Sequence, residues 1–150
     1  MATQVTNLKE FNREIDFFAG TIPDKVLALQ KKIALDLLTK IVYRTPVGNP
    51  DLWQSKPPKG YVGGRARANW QVSVGDDPPT TDVDKPDPSG GSTLSGGIAQ
   101  ISSARPGGVI WLYNNLPYIV RLEYGWSKQA PSGMVRLSLS EVEAAFARSE

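Results

Sequence analysis

The sequence predicts an α+β fold: a small antiparallel sheet packed against a long N-terminal helix, with a C-terminal helix and long Pro/Gly-rich loops. Three observations carry that expectation. From Thr21 to about Arg44, apolar residues recur at helical spacing as the stripe Val26, Leu29, Ile33, Leu37, Ile41, widened by Leu27, Ala34, Leu38 and Val42. Residues 68–75 alternate, with Trp70, Val72 and Val74 on one side and Asn69, Gln71 and Ser73 on the other, and residues 109–115 form a second short β-rich run. Residues 46–64 and 76–91 are dense in Pro, Gly and polar residues.

Taken in order, residues 7–18 form a short helix, with Leu8, Phe11, Ile15 and Phe18 at helical spacing, Asn7 as N-cap and Gly20 as terminator. A new start follows, with Thr21 as N-cap, Pro23 in the first turn and Asp24 near the positive end of the dipole. Pro46 closes this long helix. Its stripe is expected to be core, with an oligomer interface as the other use of such a face. The loop 46–64 contains Leu52, Trp53 and Tyr61, which points to partial order against the protein or a neighbour. Residues 76–91 are acidic and lack large apolar groups, so a mobile surface excursion is expected. Residues 92–104 fit a helix through Leu94, Ile98 and Ile101, although Gly96 and Gly97 weaken it by about 1 kcal/mol each. After a turn at 105–108, the strand 109–115 can pair antiparallel with 68–75. Residues 117–124 read as a short helix begun by Pro117 and closed by Gly125, and residues 134–148 as an amphipathic C-terminal helix.

Composition narrows the function. The 150 residues fit one domain, 1–150, long enough to bury roughly 70% of the unfolded surface. There is no cysteine and no histidine, which removes disulfides, thiolate nucleophiles, imidazole bases and His- or Cys-based metal sites. No apolar run approaches the ~18 residues that span a bilayer, and residues 1–11 lack the apolar core of a signal peptide. A formal charge of +2 does not by itself indicate nucleic-acid binding.

The candidate chemistries are thin. Asp82, Asp84 and Asp87 resemble a calcium loop only superficially, because Pro86 sits where a ligand is needed and no Glu closes the loop. Gly63, Gly64, Arg65 and Arg67 lack the Lys-Ser/Thr that a phosphate cradle requires. Lys56, Lys59, Arg65 and Arg67 beside Trp53, Tyr61 and Trp70 suit either a DNA backbone contact or pairing with carboxylates of this or a neighbouring subunit. Glu123 is the only acid in residues 109–140, so no second carboxylate or base supports catalysis there, and a structural salt bridge is expected of it. No catalytic, cofactor or metal residue is assigned, and no small-molecule substrate.

The order of motifs resembles the tail-component family of long-tailed double-stranded DNA phages, which includes neck and tail-completion proteins. The residues that carry the resemblance are Arg44, Pro46 and Val47, then Gly64, Arg65, Arg67, Asn69 and Trp70. A second block is Asn115, Pro117, Tyr118, Leu122, Glu123, Tyr124 and Gly125, and a third is Ser127, Pro131, Gly133, Met134, Val135 and Arg136. The resemblance covers residues 22–148. Between Val47 and Gly64 the chain departs from the family pattern by an insertion over residues 48–63, a candidate for a partner-specific contact.

The resemblance implies a non-enzymatic virion subunit that forms a hexameric ring at the head-proximal end of the tail and takes part in head–tail joining. Its implied partners are further copies of itself, the tail tube or tail terminator, and the head–tail connector, with DNA passing through the ring lumen. Its implied location is the virion tail or neck, and the host cytoplasm during assembly. A ring subunit needs aromatic anchors and polar contacts at its edges. The residues expected at the subunit or partner interface are Trp53, Tyr61, Arg65, Arg67, Tyr118, Arg121, Glu123, Tyr124 and Trp126, whereas Trp70 and Trp111 are expected in the core. The alternatives are a DNA-binding module using the basic-aromatic segment 56–70 and, more weakly supported, a hydrolase acting through Glu123.

Overall fold

The computed structural model describes residues 8–148. In it the chain is α+β: helices flank a two-stranded antiparallel sheet, and a long N-terminal helix packs against that sheet. The expected N-cap at Asn7 lies outside the described residues.

The first helix, α1, runs without interruption over Leu8–Arg44, where a break at Gly20 and a restart at Thr21 were expected. Pro23 lies inside it. Proline removes one backbone hydrogen bond and crowds the preceding turn, but Gly20, Pro23 and Asp24 are exposed, so water reaches the backbone groups left unpaired. Burial starts nearly three turns later, with Ala34, Leu38, Ile41 and Val42 in the core. Ala34, Leu38 and Val42, on the flank of the apolar stripe, are therefore among its most buried residues. Val26 and Leu29, at the head of the main stripe, are 57% and 44% exposed. After Arg44 the chain turns sharply: the Thr45 N–H and hydroxyl both donate to Ile41 O, and Pro46 prevents another turn.

A 3₁₀ turn at Pro50–Leu52 is capped by Asn49, whose Oδ1 accepts the Asp51 N–H at 3.0 Å. A short helix, α2, occupies Arg65–Ala68, so the strand expected from residue 68 begins only at Gln71. Gly64, at φ 104°, turns the chain into this helix, and Arg and Ala are strong helix formers. Strand β1 (Gln71–Val74) pairs antiparallel with β2 (Ile110–Tyr113), Val72 opposite Leu112 and Val74 opposite Ile110. The expected pairing is present, with the intervening helix α3 (Gly91–Ser102) packed on both α1 and β1. Gly97 makes that packing close: a Cβ there would collide with Leu38 and lie 3.1 Å from Val72 Cγ2. Two short final helices follow the sheet, α4 (Ile119–Glu123) and α5 (Val135–Ala147). Glu141 of α5 is bonded to both Arg44 and Lys40 of α1.

The segment 76–91 is tethered, contrary to the mobility expected of it. Asn69 clamps Val83 through both backbone groups, donating to its carbonyl at 2.8 Å and accepting its N–H at 2.7 Å. Gln71 and Asn115 donate to Thr81 O and Pro79 O. Asp87 accepts the N–H groups of Gly90 and Thr93 and so caps the first turn of α3. Low apolar content removed the usual reason for order, and side-chain amides on neighbouring elements supplied another.

Candidate interaction surfaces

The loop 46–64, the start of α2, α4 and residues 126–129 enclose a cleft of about 630 Å³. Its base is fixed by Gln129, whose side-chain amide donates to Val47 O at 3.0 Å and accepts Val47 N–H at 3.3 Å, much as a neighbouring strand would. Trp53 and Tyr61 pack ring to ring at a centroid distance of 4.7 Å and an interplanar angle of 56°, a tilted contact of favoured geometry. Gly48 has no side chain, which leaves room for the Tyr61 hydroxyl against the backbone there. Tyr118 and Trp126 line the cleft as well.

The cleft is cationic. Arg65 and Lys128 line it, and among the described residues no lining residue is a carboxylate. Asp82 approaches Arg65 at 4.0 Å from outside the lining, and the Arg65 side chain stays 50% exposed. Burial raises the Tyr118 hydroxyl above the ordinary tyrosine pKa, against the opposing effect of the Arg65 charge. That phenol is neutral at physiological pH, able to donate or accept a hydrogen bond.

The cleft brings together Trp53, Tyr61, Arg65, Tyr118 and Trp126 from the residues expected at an interface. Arg121 extends the set from the rim, its guanidinium 5.8 Å from the Trp126 ring centroid. Tyr124 stands apart from the cleft lining, 72% exposed beneath the guanidinium of Arg136 at 4.9 Å. Arg67 points inward. Its guanidinium donates to Pro88 O at 2.6 Å, Thr45 O at 3.0 Å and Tyr43 O at 3.2 Å, which joins the C-terminal end of α1 to the tethered loop. A cation there also complements the negative end of the helix dipole.

Glu123 is structural. Its carboxylate accepts the N–H groups of Met134, Val135 and Arg136 at 2.8, 2.9 and 3.0 Å, and pairs with Arg136 Nε at 3.2 Å. Burial pushes its pKa up, but these hydrogen bonds, led by those from the Arg136 and Val135 backbones, outweigh burial and hold it below the usual carboxylate range. Gly133 admits the arrangement: its φ is 83°, and a Cβ there would lie 2.5 Å from Glu123 O. A salt bridge to the following loop was expected. The larger role is a cap on α5 supplied from the end of α4, and no helix-start pattern adjacent to Val135 announces it.

Lys128 and Gln129 are cleft residues that sequence reasoning missed. Lys128 had a legible signal, a cation two residues after Trp126. Gln129 had none, since its partner Val47 is 82 positions away.

A second open surface lies along α1. Val26, Leu29, Ile33, Leu37, Val135 and Leu139 line an apolar groove of about 460 Å³ between α1, the sheet and α5. Among the described residues no group of three or more His, Cys, Asp or Glu side chains is placed to hold a metal ion, and no helix is long and apolar enough to cross a membrane. Comparison of the chain with protein-family models, with curated proteins and with solved structures finds no match in any of the three.

Proposed function

We propose that this chain is a non-enzymatic structural subunit of a phage tail-completion or neck ring, placed at the head-proximal end of the tail and acting in head–tail joining. The motif resemblance supplies the family expectation and its sixfold count. One observation carries the assembly reading: the chain exposes two different open surfaces, the cationic aromatic cleft and the apolar groove, built from largely separate elements. An isologous dimer uses one self-complementary patch, whereas a head-to-tail ring needs two unlike ones on each subunit. Trp and Tyr at the cleft are the side chains that most often dominate interface energetics. On this reading the partners are neighbouring copies, the tail tube or terminator and the connector; the location is the virion, after assembly in the host cytoplasm.

The experiment is the mass of the purified protein in solution, by light scattering, alone and with isolated tails. A closed ring, or a monomer that joins tails in fixed stoichiometry, supports the proposal. A species that neither self-associates nor joins tails removes it. Tyr118→Ala and Arg65→Ala should impair assembly while leaving a folded subunit.

DNA binding is the second reading, supported by the exposed Arg65 and Lys128 side chains on the cleft. It draws less from the segment 56–70 than expected, because Arg67 is engaged by backbone carbonyls. It requires an affinity that falls steeply as salt rises.

A further inference from the structure

The cleft combines aromatic rings with positive charge, so its occupant should be acidic and able to lie against rings. The cleft lining contains no residue of the segment 76–79, which is Asp76-Asp77-Pro78-Pro79. That segment forms an exposed corner just beyond β1, with Asp76, Asp77 and Pro79 all facing solvent. Among the described residues no ion pair holds either carboxylate. The corner is nonetheless fixed in place. Gly75 N–H donates to Val109 O at 2.8 Å, Trp111 Nε1 donates to Gly75 O at 3.3 Å, and Asn115 Nδ2 donates to Pro79 O at 2.8 Å.

We infer that the cleft of one subunit receives the Asp76-Asp77-Pro78-Pro79 corner of a second copy, with Arg65 and Lys128 facing the two carboxylates and the prolines lying against the aromatic rings. Three features support this pairing. The charges are complementary, two exposed acids against two cleft cations with no lining acid. Proline is a rigid apolar group suited to aromatic-lined grooves, and it loses little conformational freedom on docking. The corner is tied to its own sheet by the bonds above and lies outside the lining of its own cleft, so a second copy can present it preformed. Each subunit then offers a corner and a cleft, a complementary pair for head-to-tail closure, and the apolar groove is left for a further contact. This assignment rests on the ring proposal and specifies one of its contacts.

The test is a charge exchange measured by light scattering of the full chain, alone and on isolated tails. The variant D76K/D77K reverses the corner, and R65E/K128E reverses the cleft. All four side chains are at least half exposed or without an ion pair shorter than 4.0 Å, so folding, checked by circular dichroism, is expected to persist. Each variant alone should raise the concentration needed for assembly by about tenfold or more, the effect of like charges juxtaposed at an interface. Mixing the two variants, or combining all four substitutions in one chain, should restore assembly. If each variant assembles as the parent chain does, or if mixing and combination both fail to restore assembly, the assignment is overturned. If R65E/K128E loses only tail attachment and still self-associates, the occupant is another protein and the assignment is again overturned. A parent chain that never assembles removes the ring proposal itself, an outcome read before any variant is compared.

Discussion

The Glu123 carboxylate accepts the Met134 N–H at 2.8 Å across 11 positions, so the end of α4 caps the start of α5. Val135 and Arg136 donate to the same carboxylate. Three N–H groups that an isolated helix would leave to solvent are thus met by a single anion at the positive end of the helix dipole. Glu123→Ala should destabilise the subunit by about 2 kcal/mol, combining a lost cap with partly buried donors left unpaired. Urea denaturation measures it. An unchanged midpoint would mean that the first turn of α5 holds without Glu123. Glu123 is for this reason a poor probe of assembly, since a defect in its variants begins in the subunit fold.

The same carboxylate predicts an acid dependence. The folded-state pKa of Glu123 is lowered, as is that of Asp87, where burial again pushes upward and the hydrogen bonds from Thr93, Ser89 and Gly90 prevail. A depressed pKa contributes stability that is present above the unfolded values, about 4.3 for Glu and about 3.9 for Asp, and is lost as pH falls through the folded ones. Stability should therefore be flat through neutral pH with respect to these groups and decline below about pH 4. Glu123→Gln should be less stable at pH 7 and show a shallower decline below pH 4 than the parent chain. Thermal melts from pH 7 to pH 2.5 would show it; parallel curves for the two proteins would contradict the assignment of the decline to Glu123.

Gly97 gives a packing prediction. It is buried where α3 crosses α1, and a methyl group there meets the Leu38 side chain, itself fully buried. Replacing glycine by alanine in an exposed helix ordinarily stabilises it by close to 1 kcal/mol. Here overpacking opposes propensity, and a net loss of about 1–2 kcal/mol is expected for Gly97→Ala. Gly96, with nothing within 4 Å of its notional Cβ, is the internal control: Gly96→Ala should stabilise. Chemical denaturation of the two variants compares them directly, and equal stabilisation by both would exclude a close α3–α1 contact.

These contrasts mark what the sequence could disclose. Elements set by neighbours a few residues apart were legible: α3, α5, the two strands and the short helix closed by Gly125 all fall near their expected places. Gly96 and Gly97 look alike in sequence, and only the position of Leu38 separates a weak helix residue from a packing site. Local start and stop signals predict a break at Gly20 in the long helix, because they outweigh continuity when no tertiary contact is in view. The ordering of residues 76–91 depends on Asn69, Gln71 and Asn115, amides with no local sign of their targets. Aromatic candidates for the cleft were visible as residue types, but their convergence depends on the Val47–Gln129 clamp, which no spacing encodes.

Arg65 and Arg67 are two residues apart on α2, and the structure gives them different work. Arg67 reaches three carbonyls, two of them at the C-terminal end of α1, and its Nε is buried without a partner. Arg65 faces the cleft and, among the described residues, has only the distant Asp82 as a counter-charge. Arg67→Ala should cost about 2–3 kcal/mol, since bonds from a charged donor are worth more than neutral ones and their acceptors would lose a partner. Arg67→Lys should recover only part of the loss, because a single ammonium cannot reproduce the guanidinium fork across carbonyls from Tyr43 to Pro88. Arg65→Ala should change stability by no more than about 0.5 kcal/mol, as expected for a half-exposed pair at long range. Urea denaturation of the three variants, run beside light scattering with isolated tails, separates the roles. Arg65→Ala should fold normally and assemble poorly, whereas Arg67→Ala should assemble poorly only to the extent that it fails to fold. The reverse pattern would place the partner-facing charge at Arg67 and return Arg65 to the scaffold.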